Sequence, residues 1–109
     1  MSPDFRESDW KILRELKTLA LDRFCRRTLD VVARLSTEPG KSDHQRYLAV
    51  YKHIHRRDDD IAAIFNEMTR SRAVLKLCSM RMHDLLTDDE FARFSEETRE
   101  ARRRSRRRK

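Results

Sequence analysis

The sequence predicts an all-α protein: a long antiparallel helical hairpin and a short third helix, dimerising into a bundle, with a disordered basic tail. Three observations carry that expectation. Of 109 residues only one is glycine and two are proline, while 41% are charged and 38% hydrophobic, a balance that suits exposed helices and works against sheets and tight turns. Apolar residues recur three, four or seven positions apart, the spacing that keeps one helix face in register. The prolines and the glycine are confined to Pro3 and the segment Thr37-Glu38-Pro39-Gly40-Lys41, so nothing after position 41 is an obligatory helix breaker.

The elements follow in order. Residues 1–8 read as a polar leader, with Ser8 as the N-cap of a helix over 9–36 and Asp9 adding negative charge to its first turn. Leu13, Leu16, Ala20, Phe24, Val31 and Leu35 define one apolar stripe, with Leu21, Cys25 and Val32 beside it, an arc wide enough to require two helical neighbours. Pro39 and Gly40 stop this helix. Ser42 and Gln45 then form a capping box, in which each side chain accepts from the other residue's backbone N–H.

The second helix is expected over 43–85. Its face carries Tyr47, Tyr51, Ile54, Ile61, Phe65, Met68, Leu75, Cys78, Met82 and Leu85. It is expected to continue through His55-Arg56-Arg57-Asp58-Asp59-Asp60, because Ile54 and Ile61 stand a heptad apart across that charged hexad. At 1.5 Å per residue such a helix is ~60 Å long against ~40 Å for the first, so one cannot cover the other. A second copy is the simplest source of the missing surface, which assigns Phe24, Ile61, Phe65, Met68 and Leu75 to a dimer interface.

Thr87 and Glu90 form a second capping box, Leu86 and Phe91 occupy the positions of a hydrophobic staple, and Asp88 and Asp89 suit the positive end of a helix. A third helix over 88–100 follows, with Phe91 and Phe94 as its apolar edge. The stretch Leu85–Phe91 is similar to a short helical motif found near the C-termini of many bacterial proteins, without that motif's glycine, and it implies no function here.

For function, the chain speaks through its end. Arg102, Arg103, Arg104, Arg106, Arg107, Arg108 and Lys109, interrupted by Ser105, hold the entire formal charge of +7, since the remaining residues balance at 19 bases and 19 acids. A cationic block attracts polyanions over about 10 Å in dilute salt. The expectation is a small dimeric helical adaptor whose tail, residues 101–109, contacts nucleic-acid phosphate without sequence preference; nothing aromatic is interleaved to stack on bases. The alternative is a protein–protein interaction or regulatory subunit that acts through its helical body. A third reading is a small helical enzyme with a dimer-interface pocket recruiting Tyr47, Tyr51, Arg14 and Glu15.

Catalytic and cofactor chemistry is otherwise not expected. One glycine cannot build a dinucleotide-binding fingerprint, a P-loop or a nucleophile elbow. His53 and His55 fall on different helix faces, and His44 and His83 have no ligand-type residue suitably spaced for a metal pair. Asp58, Asp59 and Asp60 diverge by about 100° each along a helix and do not converge on one ion. No metal or cofactor is therefore assigned. Cys25 and Cys78 read as buried thiols. With no apolar run near the ~18 to 20 residues that span a bilayer and no leader of the secretory type, a cytoplasmic protein is expected, or a nuclear one in a eukaryotic source.

Overall fold

The computed structural model describes residues 5–107, with side chains through Arg104. Its elements are α1 (Glu7–Ser36), α2 (Asp43–Phe65), a 3-10 turn (Arg70–Arg72), α3 (Ala73–Met82), α4 (Asp88–Phe91) and α5 (Glu96–Arg107). The described residues are thus all-helical, without a strand.

α1 begins earlier than Ser8 implies. Arg6 is the N-cap residue and makes no side-chain cap. Phe5 is drawn into the core, so the expected polar leader ends in a buried anchor, and Asp9 already lies inside the first turn. The apolar stripe behaves as expected over its first half: Leu13, Leu16, Ala20 and Phe24 are buried, whereas Val31 and Leu35 are only half-buried.

α2 opens on the expected capping box, with Gln45 N–H donating to Ser42 Oγ at 3.1 Å and Ser42 N–H to Gln45 Oε1 at 2.8 Å. It also runs unbroken through Asp58-Asp59-Asp60. The helix does not reach residue 85, however. It ends at Phe65, Asn66 is extended, and Glu67 takes a left-handed backbone with φ 55°. The physical reason is burial. A straight helix leaves Ala73, Leu77 and Met80 without a partner on the same chain, whereas the break folds α3 back onto α1 and α2. Burying each Leu or Met side chain contributes roughly 1.5 to 3 kcal/mol, against about 1 to 2 kcal/mol for one left-handed residue. The second neighbour required by α1 is therefore α3 of the same chain.

That correction relocates the predicted interface residues. Phe24 and Phe65 are 5% and 4% exposed within a single chain, which removes the reason for placing them between copies. Ile61 and Met68 pack half-buried against the same core. Leu75 alone of the five is exposed, at 60%.

α3 ends in a Schellman motif built without glycine. Leu85 N–H donates to Met80 O at 2.9 Å and Asp84 N–H to Arg81 O at 3.0 Å, with Asp84 left-handed at φ 56°. Leu85 and Met80, the apolar pair such a motif brings together, are both buried. The Thr87–Glu90 capping box then starts α4 as expected. The single helix expected over 88–100 is instead two, because Ser95 caps a new start: Thr98 N–H donates to Ser95 Oγ at 3.3 Å. α5 continues through Arg107, past the boundary expected at Glu100.

The buried residues of α1 lie between Asp9 and Phe24, and those of α2 are Ile64 and Phe65. Beyond them, α1 from Cys25 onward and the first part of α2 project from the core as a two-helix arm. Arg46 Nε donates to Glu38 O at 3.0 Å near its tip, and the Arg57 guanidinium lies 6.0 Å from the Phe24 ring at its base. The resulting shape is 55 × 24 × 22 Å with a radius of gyration of 17.0 Å, against about 13 Å for a compact domain of this length.

Candidate functional site

The cationic end of the chain is fixed to the core by one carboxylate. Asp9, 1% exposed, accepts from Ser95 N–H at 2.9 Å, Ser95 Oγ–H at 2.6 Å and Thr98 Oγ1–H at 2.7 Å. Burial pushes this carboxyl up, but the Ser95 and Thr98 hydrogen bonds and the nearby Arg6 outweigh it and hold Asp9 below its usual range. The carboxylate also sits at the positive end of the α5 dipole. Arg6 pairs with Glu97 beside it.

From that anchor α5 runs along α3. The Arg102 guanidinium lies 5.6 Å from the centre of the Phe91 ring, and Cys78 Sγ–H donates to Arg102 O at 3.8 Å. Arg103 pairs with Glu100, and Arg104 is exposed. Of the seven residues expected to meet nucleic acid, Arg102 is thus committed partly to the fold. Arg106 and Arg107 continue the helix, and Arg108 and Lys109 lie outside the described residues.

Three further arginines, unremarked in the sequence, hold the turn between α3 and α4. Arg23 donates to Glu90 through both nitrogens, at 2.6 and 2.8 Å, and to Leu85 O at 2.8 Å. One turn later Arg27 donates to His83 O at 2.8 Å and to Asp84 O, while Arg81 reaches Leu86 O and Asp88. The Arg23 hydrogen bonds, with those from Thr87, prevail over burial and bring the Glu90 carboxyl down to about 2. A carboxylate so held has no proton to give at neutral pH. Its role is structural.

The charge balance of the body conceals a polarity along the molecule. Between Cys25 and Arg57 there are eight bases (Arg26, Arg27, Arg34, Lys41, Arg46, Lys52, Arg56, Arg57) against three acids (Asp30, Glu38, Asp43). The arm is therefore a cationic projection. Tyr47 and Tyr51 stand out from it, 66% and 58% exposed, with Tyr51 stacked on His55 at 5.9 Å. A shallow groove beside them is lined by Leu35, Gln45, Leu48, Ala49, Lys52 and Arg56. Glu15 is engaged at 2.9 Å by Arg93, in the link between α4 and α5, so the structure does not gather Glu15 with the tyrosines of the arm.

At the base of the arm, Phe24, Arg27, Thr28, Val31, His53, Arg57 and His83 line a pocket of about 180 Å³ that is open to solvent. His53 Nε2 and Arg57 Nε are out of solvent and so turned away from that space, and neither has a hydrogen-bond partner among the described residues. Burial, followed by the charges of Arg57, Arg56 and Arg34, pushes the His53 imidazole below its ordinary value. The sequence contains these residues at scattered positions, and only the turn after Met82, which returns His83 to Phe24 at a ring separation of 6.4 Å, brings them together.

Among the described residues no group of three or more His, Cys, Asp or Glu is arranged to hold a metal ion, no disulfide forms, and no helix is long and apolar enough to cross a membrane. Against protein-family models, curated proteins and solved structures, the chain shows no significant match.

Proposed function

We propose that this is a small helical binding protein that holds nucleic-acid phosphate, without sequence preference, through the arginine-rich end of α5. The observation that carries the reading is the concentration of the whole net charge of +7 in residues 102–109, of which 102–107 belong to a helix fixed at its start by Asp9. Such an end attracts phosphate by charge, an interaction that carries no base preference of its own. Arg103, Arg104, Arg106, Arg107, Arg108 and Lys109 are all changed to glutamine in the variant that tests it, which keeps chain length and Arg102. Binding to duplex DNA falls to background while helicity and melting temperature stay as in the parent. Undiminished binding by that variant refutes the assignment.

A second reading is favoured by the arm. Leu29, Tyr47, Leu48, Tyr51 and Ile54 are exposed there, on two helices with no third layer over them among the described residues. Self-association through this surface gives the dimeric adaptor expected above, with the contact moved from Phe24 and Phe65 to the arm.

A further inference from the structure

We infer that the open groove along the arm, lined by Leu35, Gln45, Leu48, Ala49, Lys52 and Arg56, takes one face of an acidic amphipathic helix from a partner protein. The groove is separate from the arginine end of α5 and does not depend on that reading.

Helical spacing builds the groove. Gln45, Leu48, Ala49, Lys52 and Arg56 of α2 fall three or four positions apart and so form one stripe, about 16 Å long at 1.5 Å per residue. Leu35 of α1 closes it at the side. Leu48 is 37% exposed, and Leu35 and Ala49 are only half-buried, because no third helix covers them among the described residues. A volume of about 390 Å³ has room for a few side chains of a neighbour, which fits a helix lying over the groove and inserting one apolar edge.

Charge selects the partner. Lys52 and Arg56 are exposed at the rim and enter no ion pair among the described residues, and no carboxylate lines the groove. Nearby acids are engaged elsewhere: Asp30 pairs with Arg26 at 3.6 Å, Asp43 with Arg46 at 3.0 Å and Asp60 with Arg57 at 2.8 Å. Asp59, one turn past Arg56, ends the cationic stretch. The missing carboxylates therefore come from the partner. Leu48 and Ala49 precede Lys52 by about one turn and Arg56 by about two, so a helix along α2 meets them with apolar residues three and four apart and acids one and two turns further on. A second copy is not such a partner, since a two-fold contact centred on the groove sets Lys52 against its own counterpart with no acid between. Tyr47, Tyr51 and Ile54 lie about 100° or more round α2 from Lys52, so self-association through them leaves this rim open. Duplex DNA supplies anions but no apolar side chain for the leucine floor.

The probe is a lactam-bridged helical peptide of about 15 residues, with leucines three and four apart and glutamates one and two turns beyond them on the same face. Titrated into the full-length protein and followed by NMR of the backbone amides, it is expected to bind saturably and to shift residues 45–56. Lys52→Glu combined with Arg56→Glu weakens binding by about tenfold or more, and a peptide with lysine in place of glutamate gains affinity for that variant. Serine in place of the peptide leucines weakens binding to the parent by a similar factor. The six-glutamine variant of the tail binds the acidic peptide as the parent does, which separates failure of this proposal from failure of the nucleic-acid reading. Equal affinity of the parent for the acidic and lysine peptides, indifference to the leucines, or binding that disappears with the tail charges overturns the proposal. Shifts of residues 45–56 produced by duplex DNA in place of the acidic peptide overturn it in favour of nucleic acid, and shifts there that grow with protein concentration alone overturn it in favour of a second copy. The parent titrations decide between these outcomes even where a variant fails to fold.

Discussion

Two acidic residues decide how much of this molecule holds together. Glu90 joins Arg23 of α1 to the α4 cap, and its carboxyl is lowered to about 2 from an unfolded value of about 4.3. Because the folded value is the lower one, the contribution is complete above the unfolded value and disappears as the pH falls towards 2. It amounts to at most about 3 kcal/mol. Chemical denaturation followed between pH 6 and 2.5 should show stability falling below about pH 4.5 in the parent, and a markedly shallower fall in Glu90→Gln. Asp9 acts in the same direction, its carboxyl also being lowered. Asp9→Ala leaves Ser95 N–H and two hydroxyls without their acceptor, at a cost of about 1 to 3 kcal/mol. Hydrogen exchange at the amides of residues 95–99 should accelerate in that variant before exchange in α1 does, because the start of α5 is released first.

At the scale of elements, the chain announces its starts more clearly than its ends. Both capping boxes, Ser42 with Gln45 and Thr87 with Glu90, are visible in four residues because the motif is local and reciprocal. The breaks after Phe65 and Met82 are made by Glu67 and Asp84 in left-handed backbone. Neither is a glycine, so no local signal separates them from ordinary helical positions; their conformation is imposed by the burial of Leu77, Met80 and Leu85. Ser95 followed by Glu96 and Glu97 did carry a start signal, a capping residue before an acidic first turn. With no glycine or proline after position 41, nothing beside it marked the end of the preceding helix. Substitution tests the break directly. Glu67→Gly relieves the left-handed strain and is expected to leave stability unchanged or raise it by up to about 1 kcal/mol. In a continuous helix the same change costs about 1 kcal/mol, so the sign of the shift in thermal midpoint distinguishes the two.

At the scale of the whole molecule, the sequence makes the cationic end plain and conceals the rest of the candidate surface. Seven cations in eight residues need no fold to be noticed. The arm's excess of eight bases over three acids between Cys25 and Arg57 cancels in the total, and the pocket joins residues from α1, α2 and the turn after α3 that no linear pattern relates. The fold also changes which variants inform on association. Phe65→Asp unfolds a monomer as surely as a dimer, since Phe65 is core. Tyr47→Asp combined with Leu48→Asp leaves the core intact, and sedimentation of that variant should give a monomer of 13.2 kDa if the arm joins two copies in the parent. The most direct measurement of the central claim is the salt dependence of duplex DNA binding by the parent and by the six-glutamine variant. With Arg102 held against Phe91, six cations remain for phosphate, and log affinity in the parent should fall with log salt at a slope of up to about −5. The variant should show no measurable binding under the same conditions. A variant that binds with the parent's affinity and slope, or a parent whose binding is indifferent to salt, would contradict the account.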